Sequence, residues 1–261
     1  MRRSLLPATR SATRSATRSA ARLALLAACL PAPSVAAGWE AARFEPPAKT
    51  ETATSGEGKM SGEGKQITCT TYRDLMVRES DTDTPDPEDA SLVPLVNGAA
   101  PACAAAPGPG ARILATAGQR FLGRTGGFLV FEQASTNGTV PFAVLDAGTG
   151  RTLIRDTTAE AGIDTFAVAD GTLRLGFLRG VQGACSIPKH GAGCWARIAR
   201  DGPLPPAVAA LPAPVKACAG SYRAGKAPKD TPSIVSFPVR LTGTAPPTVE
   251  AGGPVRCAPT P

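Results

Sequence analysis

The chain has 261 residues, with 28 Lys and Arg against 21 Asp and Glu, and its 28 glycines and 26 prolines far outnumber its aromatic residues. So many turn-forming residues exclude a long-helix architecture and favour short strands joined by turns. No stretch reaches the roughly 18 consecutive apolar residues that a transmembrane helix requires. The sequence therefore predicts no transmembrane span.

The excess of positive charge lies at the beginning of the chain. Residues 1–37 contain six arginines and no acidic residue. The remaining 22 basic residues are matched by 21 acidic ones. A nucleic-acid-binding protein needs an excess of basic groups to neutralise phosphates. We therefore predict no nucleic-acid partner.

The basic segment has the organisation of a signal peptide. Its arginines precede a short apolar run, Leu23–Leu30, which is followed by two prolines and the small residues Ser34–Ala37. This order is typical of a secretory signal that is cleaved after a small residue. We predict a signal peptide over residues 1–37, cleavage after Ala37, and a periplasmic or extracellular mature protein.

A second interpretation concerns Cys29. The sequence Leu-Ala-Ala-Cys that ends at Cys29 resembles the lipobox of bacterial lipoproteins, in which the cysteine becomes a lipidated N-terminus. The resemblance implies a lipid-anchored membrane protein, attached to the membrane surface through Cys29. Both interpretations place the mature protein outside the cytoplasm.

Six cysteines remain once Cys29 is set aside, and an even number in an exported chain predicts three disulfides. Cys185 and Cys194 are separated by a segment rich in Gly and Pro that can close a short loop. Pairing the other cysteines in chain order adds Cys69–Cys103 and Cys218–Cys257. The chain has no C-x-x-C pair and only one histidine, so we expect neither a metal site at these cysteines nor any cofactor.

Composition divides the rest of the chain into two parts. Residues 38–65 mix Pro, Ala, Thr and charged residues, and contain Ser-Gly-Glu-Gly-Lys twice. No period in them could bury one face, so we predict a disordered linker. Residues 66–261 alternate apolar stretches with turn signals and form the predicted exported domain.

Strands are predicted at seven places in this domain, from apolar alternation or short apolar runs: residues 66–78, 92–96, 128–131, 142–145, 194–199, 233–241 and 255–257. Pro141 predicts an edge or bulged position for its strand, and Pro238 predicts an edge position for its own. Residues 202–215, rich in Pro and Ala, are predicted to be a crossing loop.

Asp170-Gly171 is the best turn signal in the chain. A two-residue hairpin turn there places Val168 opposite Leu173 and Phe166 opposite Leu175, all on one face. Pattern and turn chemistry agree on this register. The segment is therefore predicted to be a half-buried antiparallel hairpin.

A second hairpin is predicted at residues 143–153, where Asp146 and Gly150 shape the turn. These eleven residues resemble the outer hairpin of a quinoprotein-type propeller blade. Together, the segments predict an all-β fold: an antiparallel meander, sandwich or small propeller-like domain held together by disulfides.

Two groups of residues could carry chemistry. Carboxylates at alternate positions in an acidic loop are weak candidates for a calcium site, although the loop lacks the glycine and the final glutamate of an EF-hand: Asp81, Asp83, Asp86, Glu88 and Asp89. His190 is the only histidine and lies between two cysteines expected to be bonded. We expect it to be an exposed loop residue.

The sequence contains no complete catalytic constellation, and no G-x-S-x-G nucleophile motif is present. We therefore expect an exported, non-enzymatic binding or envelope-accessory module of bacterial type. The alternative is a periplasmic hydrolase that uses carboxylates the sequence does not identify. A cleft lined by two facing acids would distinguish the two.

Overall fold

The computed structural model describes residues 44–55, 65–81, 90–104, 106–116, 118–133, 138–244 and 246–261. Within them, five antiparallel strands form a first sheet in chain order: β1 (Lys49–Ser55), β2 (Lys65–Thr71), β3 (Leu75–Asp81), β4 (Ala90–Pro94) and β5 (Arg112–Ile113). The signal peptide predicted over residues 1–37, including Cys29, lies outside the described residues.

The second sheet is also antiparallel and has eight strands in the described part of the chain: β6 (Arg120–Thr125), β7 (Phe128–Glu132), β8 (Val140–Asp146), β9 (Thr152–Ala169), β10 (Thr172–Gln182), β11 (Ser233–Thr242), β12 (Thr248–Ala251) and β13 (Arg256–Pro259). Its order follows the chain from β6 to β12, and β13 pairs with β11 beside β12. The protein is thus a mainly antiparallel β structure, as predicted.

The two predicted hairpins are present. Val168 pairs with Leu173 and Phe166 with Leu175, in the register that Asp170-Gly171 dictates. At the β8–β9 turn, the Asp146 carboxylate accepts a hydrogen bond from the Thr149 amide at 2.7 Å. This second hairpin belongs to the large sheet and not to a four-stranded propeller blade.

Residues 66–78 form two strands and not the single strand that we predicted. β2 ends at Thr71, β3 begins at Leu75, and the Tyr72 amide donates to the Leu75 carbonyl at 2.8 Å to close the turn. Buried residues continue on both sides of the turn, and Asp74 is the one turn-forming residue within it. The alternation alone therefore gave no sign of the reversal.

The predicted linker contains a strand that the composition did not reveal. β1 lies within residues 38–65 and pairs with β2 over its whole length, from Lys49 opposite Thr71 to Ser55 opposite Lys65. Threonine at every second position suits a sheet edge with one exposed face. Residues 38–43 and 56–64 of that linker are not among the described residues.

Pro141 and Pro238 lie in interior strands, so the edge positions that we predicted for them are wrong. The ladder between β8 and β7 begins only at Phe142. Pro238 lies between Ser236, where pairing with β13 ends, and Val239, where pairing with β12 begins. Each proline therefore occupies a place where one neighbouring ladder is interrupted, which lets an interior strand tolerate a residue without an N–H.

Residues 194–199 form part of a helix and not the strand that we predicted. α1 (Ile187–Asp201) begins at Ser186, whose hydroxyl accepts a hydrogen bond from the Lys189 amide at 3.3 Å, and Pro188 occupies its first turn. The backbone at Gly191 is non-helical (φ 52°), so α1 is interrupted there, and after this break Cys194, Trp195 and Ile198 are buried at helical spacing. The predicted crossing loop contains a short second helix, α2 (Pro206–Ala209), and α3 (Val215–Ala224) follows it.

The large sheet buries both of its faces, against different partners. One face packs on the first sheet, where Phe131 and Leu145 of the large sheet meet Val77 and Leu92 of the small one. The other face is covered at the β10–β11 side by α1, α2 and α3, and Trp195 and Tyr222 belong to that cluster. The helices and the small sheet therefore lie on opposite sides of the large sheet.

The six cysteines of the described residues form three disulfides: Cys69–Cys103, Cys185–Cys194 and Cys218–Cys257. These are the pairs that pairing in chain order predicts. The first joins β2 to the segment after β4, the second joins the loop after β10 to α1, and the third joins α3 to β13. Each bond therefore fixes a peripheral segment to a neighbouring element.

Candidate functional site

A polar cleft of about 500 Å³ lies where the first described residues, the β2–β3 turn and the edge strand β6 come together. We call it the Arg124 cleft. Three of its charged groups come from distant parts of the sequence, Glu45, Asp74 and Arg124, and the lining is completed by Pro46, Ala48, Tyr72 and Arg73. Because several polar groups converge in a cleft of this size, we treat it as the candidate ligand site.

The Arg124 side chain is the centre of the cleft and is only 13% exposed. Its two terminal nitrogens donate to the two oxygens of Asp74, one of them at 3.1 Å. Its Nε donates to the Gly126 carbonyl at 2.9 Å and lies 3.5 Å from the Glu45 carboxylate. A guanidinium bound to two carboxylates and a carbonyl is held in one geometry.

Glu45 is fixed by the edge of the large sheet. Its amide donates to the Arg124 carbonyl at 2.8 Å, and its carboxylate accepts from the Gly126 amide at 2.5 Å. The ring of the preceding residue, Phe44, lies against Gly123, and a Cβ added to Gly123 would be 2.4 Å from that ring. Glycine at this place therefore lets the segment before β1 pack against β6, which positions one wall of the cleft.

Tyr72 forms the floor of the cleft. The Arg124 guanidinium lies 5.5 Å from the centre of its ring, a cation–π distance, and Phe121 packs edge-on against it at 6.2 Å. Burial raises the pKa of the Tyr72 hydroxyl, and the proximity of Arg124 opposes that rise only in part. The hydroxyl therefore stays protonated at neutral pH and can act as a hydrogen-bond donor.

The charges of the cleft balance. The hydrogen bond from Arg124 holds the pKa of Asp74 below its usual range, and the same bond raises the pKa of Arg124. Both groups are thus ionised at neutral pH. With Glu45 and Arg73, the cleft contains two carboxylates and two guanidinium groups, so it presents donors and acceptors without a net charge.

Of the residues singled out from the sequence, those whose side chains the structure describes do not line this cleft. Of the calcium candidates, Asp83, Asp86, Glu88 and Asp89 are outside the described residues, as is the side chain of Asp81. His190 is exposed, but on α1 and not in a loop. Across the ranges given above, the structure contains no group of three or more His, Cys, Asp or Glu side chains that could hold a metal ion.

One further carboxylate has a perturbed environment. Glu132, the last residue of β7, has its pKa raised by burial. Ionisation of this side chain in the native state therefore has a free-energy cost, which lowers the free energy of unfolding. That cost is present above the folded-state pKa and disappears as the pH falls below the unfolded-state pKa, which for a glutamate is about 4.3.

Replacing Glu132 with Gln is expected to raise the melting temperature at pH 7 and to have a much smaller effect at pH 3.5, because protonation already removes the charge at low pH. Differential scanning calorimetry at the two pH values measures this. Glu250→Gln, at an exposed position in β12, is the matched control and should leave the melting temperature unchanged. A loss of stability in Glu132→Gln at pH 7 would contradict the expectation.

The fold and the cleft define a class of protein: a disulfide-bonded, mainly antiparallel β domain with a charge-balanced cleft beside an edge strand. Comparisons with protein-family models, with curated proteins and with solved structures found no match to this chain. Over the described ranges, no helix has the length and apolar character needed to cross a membrane.

Proposed function

We propose that this chain is a non-enzymatic binding module, or envelope-accessory protein, that acts outside the cytoplasm and holds its ligand in the Arg124 cleft. The observation that carries the proposal is the fixed, charge-balanced Arg124 group. Because Arg124 engages both nearby carboxylates, the cleft is organised before a ligand arrives, which lowers the entropic cost of binding. A charge-balanced site favours a neutral polar ligand, such as a saccharide or a peptide amide.

The alternative is a periplasmic hydrolase. Glu45 and Asp74 are the two acids that face the same cleft, but each is bonded to Arg124. A general base needs a free, basic lone pair, and the hydrogen bond from Arg124 holds the pKa of Asp74 below its usual range, which makes that carboxylate a weaker base. The bonding of Glu45 and Asp74 therefore supports recognition over proton transfer.

A thermal-shift screen against neutral saccharides and N-acetylated dipeptide amides tests the proposal. We expect at least one compound to raise the melting temperature of the parent chain. The exposed cleft variant Arg73→Gln/Asp74→Asn should lose that shift. The matched variant Arg174→Gln/Asp164→Asn, which makes the same chemical changes at exposed positions of the large sheet, should keep it. No hit in either compound class, or turnover of a hit that Glu45→Gln or Asp74→Asn abolishes, would contradict the proposal.

Export is a separate part of the proposal. It is supported by the basic and apolar organisation of residues 1–37 and by the three disulfides, which form and persist in oxidising compartments. We expect the native protein to begin at Gly38. Intact-mass spectrometry distinguishes a chain of residues 38–261 from one that begins at a diacylglyceryl-modified Cys29. The second result would replace a freely diffusing protein with a lipid-anchored one.

A further inference from the structure

The outer face of the small sheet, which is turned away from the large sheet, is covered by a short segment of chain. Side chains alternate along β3, so Val77 faces the large sheet while its neighbours Met76 and Arg78 face outward. Met76 is nevertheless only 2% exposed, and Arg78 only 4%. Apolar side chains of residues 95–104 pack against this outward face, and we call that stretch the cover segment.

A disulfide and a hydrogen bond join the cover segment to the sheet beneath it. Cys103 of the segment is bonded to Cys69 on β2. The Arg78 Nε donates to the carbonyl of Ala104, the residue after Cys103, at 3.0 Å. Cys69 and Arg78 are directly opposite each other in the ladder between β2 and β3, so they share one face of the sheet. The Arg78 side chain thus extends from beside one cysteine of the bond to the residue that follows the other.

The Cys69–Cys103 bond is the disulfide that a thiol in solution can reach most readily. Of the six cysteines in the described part of the chain, five are at most 8% exposed, whereas Cys103 is only partly buried. Its partner Cys69 is fully buried. A thiolate must contact the sulfur that it attacks, so the accessible route is attack on Cys103 with Cys69 as the leaving group. Disulfides that are exposed are the labile ones in proteins.

Arg78 favours the departure of Cys69. A displaced thiolate leaves faster when a nearby cation stabilises its negative charge. Arg78 supplies such a cation on the face where Cys69 lies, and a guanidinium remains protonated at any pH at which a protein folds. Because both residues are buried, solvent screens this interaction little. The buried end of the bond is therefore suited to be the end that leaves.

Going beyond the ligand site proposed above, we propose that Cys69–Cys103 is a thiol-exchange site that a dithiol opens, and that its opening frees the cover segment. The first thiolate of the dithiol bonds to Cys103 Sγ as the disulfide breaks, and Cys69 leaves as a thiolate that takes up a proton. The second thiolate attacks the sulfur of its own molecule in this mixed disulfide, and Cys103 leaves as a thiol. The protein gains two electrons and two protons, and the dithiol becomes a disulfide.

Timed reduction of the native full chain with dithiothreitol tests the exchange site. Samples are quenched with iodoacetamide, and peptide mass spectrometry identifies the cysteines that have been released. We expect Cys69 and Cys103 to be alkylated at least about tenfold faster than the cysteines of the other two disulfides. Earlier reduction of Cys185–Cys194 or Cys218–Cys257, or reduction of all three bonds together, would overturn the proposal.

The role of Arg78 is tested on the thiolate itself. Cys103→Ser leaves Cys69 as an unpaired cysteine, and the ultraviolet absorbance of its thiolate at pH 8 measures the ionised fraction. We expect that fraction to be at least about threefold lower in Cys103→Ser/Arg78→Gln, and to be retained in Cys103→Ser/Arg78→Lys, which keeps a cation. Equal thiolate absorbance in all three variants would overturn the role assigned to Arg78.

Met76, which lies beneath the cover segment, reports on its release. In Cys69→Ser/Cys103→Ser, shown to be folded by circular dichroism, we expect hydrogen peroxide to convert Met76 to the sulfoxide at least about tenfold faster than in the parent chain. The matched variant Cys185→Ser/Cys194→Ser removes a disulfide on the other side of the large sheet and should leave that rate unchanged. The same rate of Met76 oxidation in the parent and the first variant, or equal acceleration in the two variants, would overturn the release of the cover segment.

Discussion

Replacing Cys218 and Cys257 with alanine is expected to lower the free energy of unfolding by about 4 kcal/mol. The bond joins residues 39 positions apart, so its removal restores a large conformational freedom to the unfolded chain. It also holds α3 against β13, so the loss should be measurable as earlier denaturation in urea. A domain has about 5–15 kcal/mol of stability in total, so a change of this size is a large part of it.

The matched control is the pair Cys185→Ala/Cys194→Ala. It removes the same atoms from positions that are also buried. The disulfide that it removes closes a loop between residues only nine positions apart. The chain-entropy account predicts a smaller loss, about 2.5 kcal/mol. A greater loss for the short loop than for Cys218–Cys257 would contradict that account and would show that the bond acts through the native state of α1.

Replacing Asp156 with alanine is expected to cost about 3 kcal/mol. Asp156 on β9 and Arg179 on β10 form an ion pair with side chains only 12% and 11% exposed, and Arg179 Nε donates to the Asp156 carboxylate at 2.8 Å. The guanidinium also lies 5.9 Å from the centre of the Phe177 ring. Removing the acid leaves a charge in this poorly solvated place without its partner, which is the costly change.

The double variant Asp156→Leu/Arg179→Met separates the cost of an unpaired charge from the contribution that the ion pair makes to the free energy of unfolding. Because it removes both charges and fills the space with apolar groups, we expect it to be within about 1 kcal/mol of the parent. Urea denaturation of the single and double variants completes the comparison. If the double variant were as unstable as Asp156→Ala, the pair itself would be a major source of stability and the expectation would be wrong.

The elements that could be predicted from the sequence are those whose signals are local. Asp170-Gly171 sets the register of β9 and β10 from the turn as far as Gly176, because a two-residue turn fixes which residues face each other; beyond Gly176 the pairing contains two register shifts. Ser186 at the N-cap and Pro188 in the first turn are local signals for the start of α1, but residues 194–199 taken alone favour a strand. The spacing of Cys194, Trp195 and Ile198, which follow the break at Gly191, is helical.

The candidate site could not be predicted in the same way. Glu45, Asp74 and Arg124 are far apart in the chain and share no motif, so only the packing of the segment before β1 against β6 brings them together.

The most direct test of the Arg124 cleft as the binding site is an NMR titration of the isotope-labelled protein with the compounds that the thermal-shift screen identifies. The amides of Tyr72, Asp74 and Gly126 and the Nε–H of Arg124 report on the cleft from each of its walls. The proposed function predicts that these signals shift together and saturate at one affinity. Shifts confined to β9–β13, with the cleft signals unchanged, would contradict it.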